Sequence, residues 1–173
     1  MQKISANDLR SFVAEAVENG WPHNTVEWSQ EDFPKFYGSR YVRAPWRYVD
    51  LWAGATTDMG IQFVFYEDHP VWGCSYRGGI IDSRFLESDT IESNPVFAFL
   101  IESLRLPATP ELPIRGPREH STAADPGFTY KFEYSGSLDS FTAREHIDLE
   151  GRHVYERLFV GGRFGDGISY APF

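Results

Sequence analysis

The sequence predicts an α+β fold: duplicated α-β-β-β units forming a mainly antiparallel sheet with two helices packed on it. Three observations carry this. Residues 60–79 (GIQFVFYEDHPVWGCSYRGG) align without a gap on residues 143–162 (AREHIDLEGRHVYERLFVGG), and both copies end in a glycine pair. Such self-similarity is the mark of a repeated supersecondary unit. Two segments have the caps and apolar stripes of helices, and the segment before each hairpin alternates with period two, as strands do. The 173 residues suit a single domain, 1–173, made of two halves of about 1–106 and 107–173.

The first helix is expected over 5–19. Ser5 with Asp8 makes a capping box, and Leu9, Phe12, Val13, Ala16 and Val17 make one apolar stripe. Gly20 stops it and Pro22 prevents its resumption. Arg10, Glu15 and Glu18 fall outside the stripe and read as a solvated face. TVEWS at 25–29 reads as a short strand, and FPKFYGSRYVRAPW as a mixed loop holding a small basic cluster of Lys35, Arg40 and Arg43. Arg47 to Trp52 alternates as a strand, with Tyr48, Asp50 and Trp52 on one face. The first hairpin turns near Glu67 and Asp68.

A second helix is expected to begin at Pro95, capped by Ser93 or Asn94, and to end before Pro107. The proline-rich stretch 107–127 reads as a long connection between the halves. Phe128 to Tyr134 repeats the earlier strand, with Tyr130, Phe132 and Tyr134 matching Tyr48, Asp50 and Trp52 at an offset one residue different from that of the hairpins.

Composition narrows the function. A net charge of −9 argues against a nucleic-acid surface, which draws on Lys and Arg. The single cysteine, Cys74, rules out an internal disulfide and a cysteine-built zinc site, and its place in an apolar strand suits a buried thiol. The N-terminal MQKISANDLR lacks a signal-peptide core, and no apolar run reaches the ~18 residues of a membrane span. A cytoplasmic protein without a membrane partner is expected. None of the five histidines makes an HExxH motif; His146, His153 and Asp148 read as hairpin polar residues rather than a zinc site, and no metal or cofactor is assigned. The tail GGRFGDG opens no helix, so it is not a phosphate loop, and no GxSxG nucleophile occurs.

Direct continuation of pairing from a two-residue turn at Glu150 and Gly151 places Leu149 opposite Arg152, Ile147 opposite Val154 and Glu145 opposite Glu156. Two carboxylates would then face each other on the core side. They could share a proton as an acid/base pair, anchor a ligand, or be relieved by an arginine such as Arg115. The same rule puts Gln62 opposite Gly73 on one face of the first hairpin, and Phe63 opposite Trp72, Ile61 opposite Cys74 and Met59 opposite Tyr76 on the other, making that other face apolar too. Asp50, between Tyr48 and Trp52, could meet a cationic or hydroxylated ligand, or simply water. Candidate pocket residues on the first half are Tyr48, Asp50, Trp52, Gln62 and Trp72. On the second they are Tyr130, Tyr134, Glu145 and Glu156.

Several phrases resemble a bacterial family, the domain of unknown function 5680: RYVDLWAG at 47–54, HPVWGCSY at 69–76, RGP at 115–117, and the pattern Phe141, Glu145, Val154, Tyr155, Gly161, Gly162. Gln62 departs from the acidic residue the pattern would carry there. The resemblance implies a domain that also stands at the C-terminus of regulators beginning with an XRE-type helix-turn-helix. The expectation is a non-enzymatic small-molecule-binding or sensor domain with an aromatic-lined pocket. The alternatives are an enzyme using Glu145 and Glu156 as acid and base, and a structural or oligomerisation module, with a homodimer as the partner.

Overall fold

A computed structural model describes residues 4–21, 26–30, 33–86, 93–122 and 127–165. In chain order these form α1 (Ala6–Asn19), β1 (Val26–Gln30), β2 (Phe33–Arg43), β3 (Trp46–Gly54), β4 (Thr57–Tyr66), β5 (His69–Ile80), α2 (Pro95–Leu104), β6 (Glu119–Ser121), β7 (Phe128–Ser137), β8 (Ser140–Leu149) and β9 (Arg152–Arg163). The nine strands make one sheet in the order β1-β2-β3-β4-β5-β9-β8-β7-β6, every neighbouring pair antiparallel. No helix among the described residues is long and apolar enough to cross a membrane.

Each helix starts where its cap dictates. The Ser5 hydroxyl oxygen accepts the Asp8 backbone N–H at 3.0 Å, satisfying a first-turn donor. Asn94 does the same for the Val96 N–H at 3.0 Å, with Pro95 in the first turn. Leu9, Phe12, Val13 and Ala16 of α1 and Val96, Phe97, Phe99 and Leu100 of α2 are buried in one core. Phe12 stacks on Trp46 of β3 at 5.2 Å, and Phe97 meets the Tyr155 ring of β9 edge-on at 6.2 Å. Strand pairing puts Trp46 and Tyr155 on the same side of the sheet, so both helices cover one face.

The segment 33–43, expected as a loop, is instead an eleven-residue strand. Its Pro34 and Gly38 hide the alternation that would have marked it; such residues are tolerated near a sheet edge, where β2 lies second from the end. With β1 and β6 added, the first half holds five strands and the second four, rather than three each. The connection 107–127 is also more than a spacer. It buries Leu112 and Ile114 completely and contributes β6.

The two hairpins share one register. Val64 pairs with Trp72 in the first and Ile147 with Tyr155 in the second; Gln62 pairs with Cys74, and Glu145 with Arg157. Both turn through two residues with positive φ, Glu67 (47°) and Asp68 (64°) in one, Glu150 (50°) and Gly151 (76°) in the other. Both then shift by one residue at the same place, between Val64 and Phe65 and between Ile147 and Asp148. Val71 and Val154 are the residues without a partner at these bulges, and both are buried beside Trp72 and Tyr155. The outer strands dock alike: Tyr48, Asp50 and Trp52 face Val64, Gln62 and Gly60, while Tyr130, Phe132 and Tyr134 face Ile147, Glu145 and Ala143. β5 and β9 then pair, Tyr76 opposite Phe159, and make the sheet continuous.

Candidate functional site

The bulges correct the expected pairings. A one-residue slip turns a strand's side chains to the opposite face. Leu149 does face Arg152, but Ile147 faces Tyr155, Glu145 faces Arg157, and Glu156 faces His146. The Glu145/Glu156 carboxylate pair therefore does not form: Glu145 points under the helices and Glu156 to the uncovered face. In the first hairpin, Gln62 faces Cys74 rather than Gly73, Phe63 faces Gly73, Ile61 faces Ser75 and Met59 faces Arg77.

Under the helices the sheet carries an unusual density of polar groups. Glu145 is fully buried, at 0% exposure. Arg115 grips it through Nε to Oε1 at 2.8 Å and Nη2 to Oε2 at 2.9 Å, and the hydroxyls of Tyr130 and Tyr155 each donate to one of its oxygens at 3.0 Å. The arginine named as one possible relief for this carboxylate is the one present. Burial pushes the Glu145 carboxyl upward, but the Arg115 charge and its hydrogen bonds outweigh that, leaving it below its ordinary value. Arg115 is correspondingly held above its own ordinary value by Glu145, against the cost of burial.

Asp50 anchors a second cluster. Tyr76 donates its hydroxyl to Oδ1 at 2.8 Å, and the Gln62 amide donates to Oδ2 at 3.3 Å. Tyr76 reaches across β4 because Gly60 stands opposite: a Cβ there would collide with the Tyr76 ring and the Leu51 carbonyl. Among the described residues no arginine is hydrogen-bonded to Asp50, and burial pushes its carboxyl up to about 6. Gln62 Oε1 is buried without a partner. Beside this cluster, buried Arg157 donates through Nη2 to both oxygens of Asp58, at 2.7 and 2.6 Å, and lies over the Tyr76 ring at 5.1 Å.

The other expected residues are placed as follows. Trp72 is fully buried, donates Nε1–H to the Leu138 carbonyl at 3.0 Å and stacks on Phe141. Tyr48 is buried, and Trp52 stacks on Tyr37 at 6.1 Å. Tyr134 accepts from Arg118 at 2.5 Å. Burial pushes the Cys74 thiol up to about 12, so it stays protonated. On the uncovered face Glu156 accepts from Arg144 Nε at 2.7 Å. There the ligand atoms of His146, Asp148 and His153 lie within 4.8 Å of one another, the one group among the described residues that could hold a metal. The Arg144 guanidinium stands 3.1 Å from His153 Nε2, however, and opposes a cation there. His23, Thr25 and the tail beyond residue 165 lie outside the described residues.

Two spaces open around these clusters. A void of about 30 Å³, the share of one water, is bounded by Asp50, Trp52, Asp58, Tyr76, Arg115 and Arg157. A cavity of about 640 Å³ lies between α1 and the segment that follows α2. Its walls include Arg10, Val17 and Trp21 on one side and Leu104, Leu106 and Pro113 on the other, with Arg115 bordering both spaces. None of the nine residues expected in a pocket lines the larger cavity, and among the described residues Trp21 is its single aromatic. Arg10, expected on a solvated face, is half-buried there. The signal near Arg115 was that Leu112 and Ile114 are apolar and two apart in a supposed connection; both are fully buried and dock this stretch on the core.

The family model described as Domain of unknown function (DUF5680) matches residues 50–164. No curated protein and no solved structure matches.

Proposed function

The chain belongs to the DUF5680 family, and from that premise we propose that it is a non-enzymatic domain that holds a small organic molecule in the cavity between α1 and the segment 104–115. One observation carries the reading: the space of about 640 Å³ bordered by Arg115. Ligand sites have ~300–1,000 Å³, mainly apolar walls and a few convergent polar groups. Glu145 fixes the Arg115 guanidinium from behind, which preorganises it for a ligand. The charged groups around the cavity are mainly guanidiniums, which hold anions and do not exchange protons near neutral pH. Such a module suits a cytoplasmic bacterial sensor of the kind that stands beside an XRE-type helix-turn-helix.

The same reading treats the scaffold as duplicated α-β-β-β units, later extended by edge strands. The common register, bulge and turn of the two hairpins support it.

The test is native mass spectrometry of protein purified from its own host, beside an Ala14→Trp variant whose indole intrudes into the cavity. A bound small molecule present in the wild type and lost from the folded variant is the expected result. The same bound molecule in both counts against this site.

A second reading, assembly into a homodimer, has its own support. The uncovered face exposes Met59 (59%) and Ile61 (40%) on β4 and Leu158 (55%) and Val160 (56%) on β9, the two central strands that flank β5. Sedimentation of wild type and Val160→Lys decides it: a dimer converted to monomer supports assembly, and a monomeric wild type removes it.

A further inference from the structure

The cavity has a charge opposite to that of the protein around it. The chain carries −9 overall, yet the cavity wall holds Arg10, Arg105 and Arg115 against one carboxylate, Glu18. Two of these guanidiniums are incompletely used. Glu145 engages Nε and Nη2 of Arg115 and leaves Nη1 outside the pair. Arg10 Nε is buried with no hydrogen-bond partner, and Arg10 Nη1 has only a 3.5 Å contact to Asn7 Oδ1. A buried donor on a cation that finds no acceptor is costly, and a charged acceptor is its strongest remedy. Apart from Asn7 and Ser11 the rest of the wall is apolar, with Val17, Trp21, Leu104, Leu106 and the prolines at 107, 110 and 113.

Resting on the binding reading above, we infer that the ligand is an organic anion with an apolar body. Its charged end meets Arg10 and Arg115, and its body lies against Val17, Trp21 and Leu106. Neither end suffices alone. A small inorganic anion would leave most of the 640 Å³ unfilled, and a neutral apolar molecule would offer the Arg10 and Arg115 guanidiniums on the wall no acceptor.

Two fluorescent probes with the same aromatic body test the charge. Anilinonaphthalene sulfonate carries an anionic group; N-phenyl-naphthylamine lacks it. Wild-type protein is expected to bind the sulfonate at one site, and Arg10→Gln to weaken that binding about tenfold, the loss of one charge-assisted contact. Arg10→Gln should leave the neutral probe unaffected, and Arg77→Gln, on the uncovered face, should affect neither. Ala14→Trp should abolish sulfonate binding while the far-ultraviolet circular dichroism stays that of the wild type. Equal affinity for both probes, with no effect of Arg10→Gln, overturns the anion class and leaves the cavity reading standing. Failure of the sulfonate to bind while the neutral probe does has the same meaning. Binding of both probes that survives in folded Ala14→Trp overturns the cavity reading and this inference with it. So does failure of wild type to bind either probe.

Discussion

Gln62 and Glu145 occupy the same place in their hairpins, yet the two positions are built in opposite ways. Around Gln62 the carboxylate comes from the next strand, as Asp50, and its partners are a phenol and an amide. Around Glu145 the next strand supplies Phe132, the carboxylate stands on the hairpin itself, and Arg115 arrives from outside the sheet. Burial hardly differs, with Asp50 at 6% exposure and Glu145 at 0%. The ionisation differs in direction: Asp50 is pushed up to about 6, and Glu145 is held below its ordinary value. What separates them is a guanidinium in hydrogen-bonding contact, which offsets desolvation where neutral donors do not. One cluster is a fixed ion pair beside the cavity; the other is a carboxyl that titrates near neutrality.

The largest expected effect breaks the fixed side of this comparison. Arg115→Met leaves Glu145 buried and unpaired, which typically costs ~3–5 kcal/mol, read as a lowered denaturant midpoint. Replacing Glu145 by Leu in the same protein should recover much of that loss, since a buried ion pair exchanged for apolar residues is often nearly neutral. An Arg115→Met protein as stable as wild type would show that Glu145 does not depend on this partner. Because the folded Glu145 value is depressed, its stabilising contribution is present above the unfolded carboxyl value and is lost as pH falls through the folded one.

Asp50 should show the reverse slope. Its folded value of about 6 lies above the unfolded 3.8, so its contribution favours folding at low pH and is withdrawn as pH rises between those values. Asp50→Asn cannot ionise. It should match wild type near pH 4 and exceed it by roughly 1–3 kcal/mol at pH 8, because each tenfold change in proton affinity is worth about 1.4 kcal/mol, less any lost hydrogen bonding. Chemical denaturation at the two pH values measures this. A constant difference across the range would mean that Asp50 does not titrate as its burial implies.

The smallest effect sharpens the comparison on the uncovered face. Glu156 is partly solvated and paired with Arg144, so Glu156→Gln should lower stability by no more than about 1 kcal/mol at neutral pH. The facing-carboxylate arrangement would have produced a gain instead, so the sign alone separates the two geometries.

Much of this protein was legible in its sequence where the determining contacts are local. Ser5 with Asp8, Asn94 with Pro95, and the apolar stripes behind them fix both helices, because caps and helix faces involve residues three or four apart. The two-residue turns at Glu67 and Glu150 and the burial of Trp72 are local in the same sense. Adjacent apolar pairs, Val71 with Trp72 and Val154 with Tyr155, carried a trace of the bulges, since strict alternation would not bury both members. Which face each glutamate takes was decided only by the tertiary structure. A bulge is a property of two paired strands together, and a single-residue shift reverses faces beyond it. The partner of Glu145 lies thirty positions away, and the cavity exists only because α1 and the segment after α2, far apart in the chain, close over the same end of the sheet.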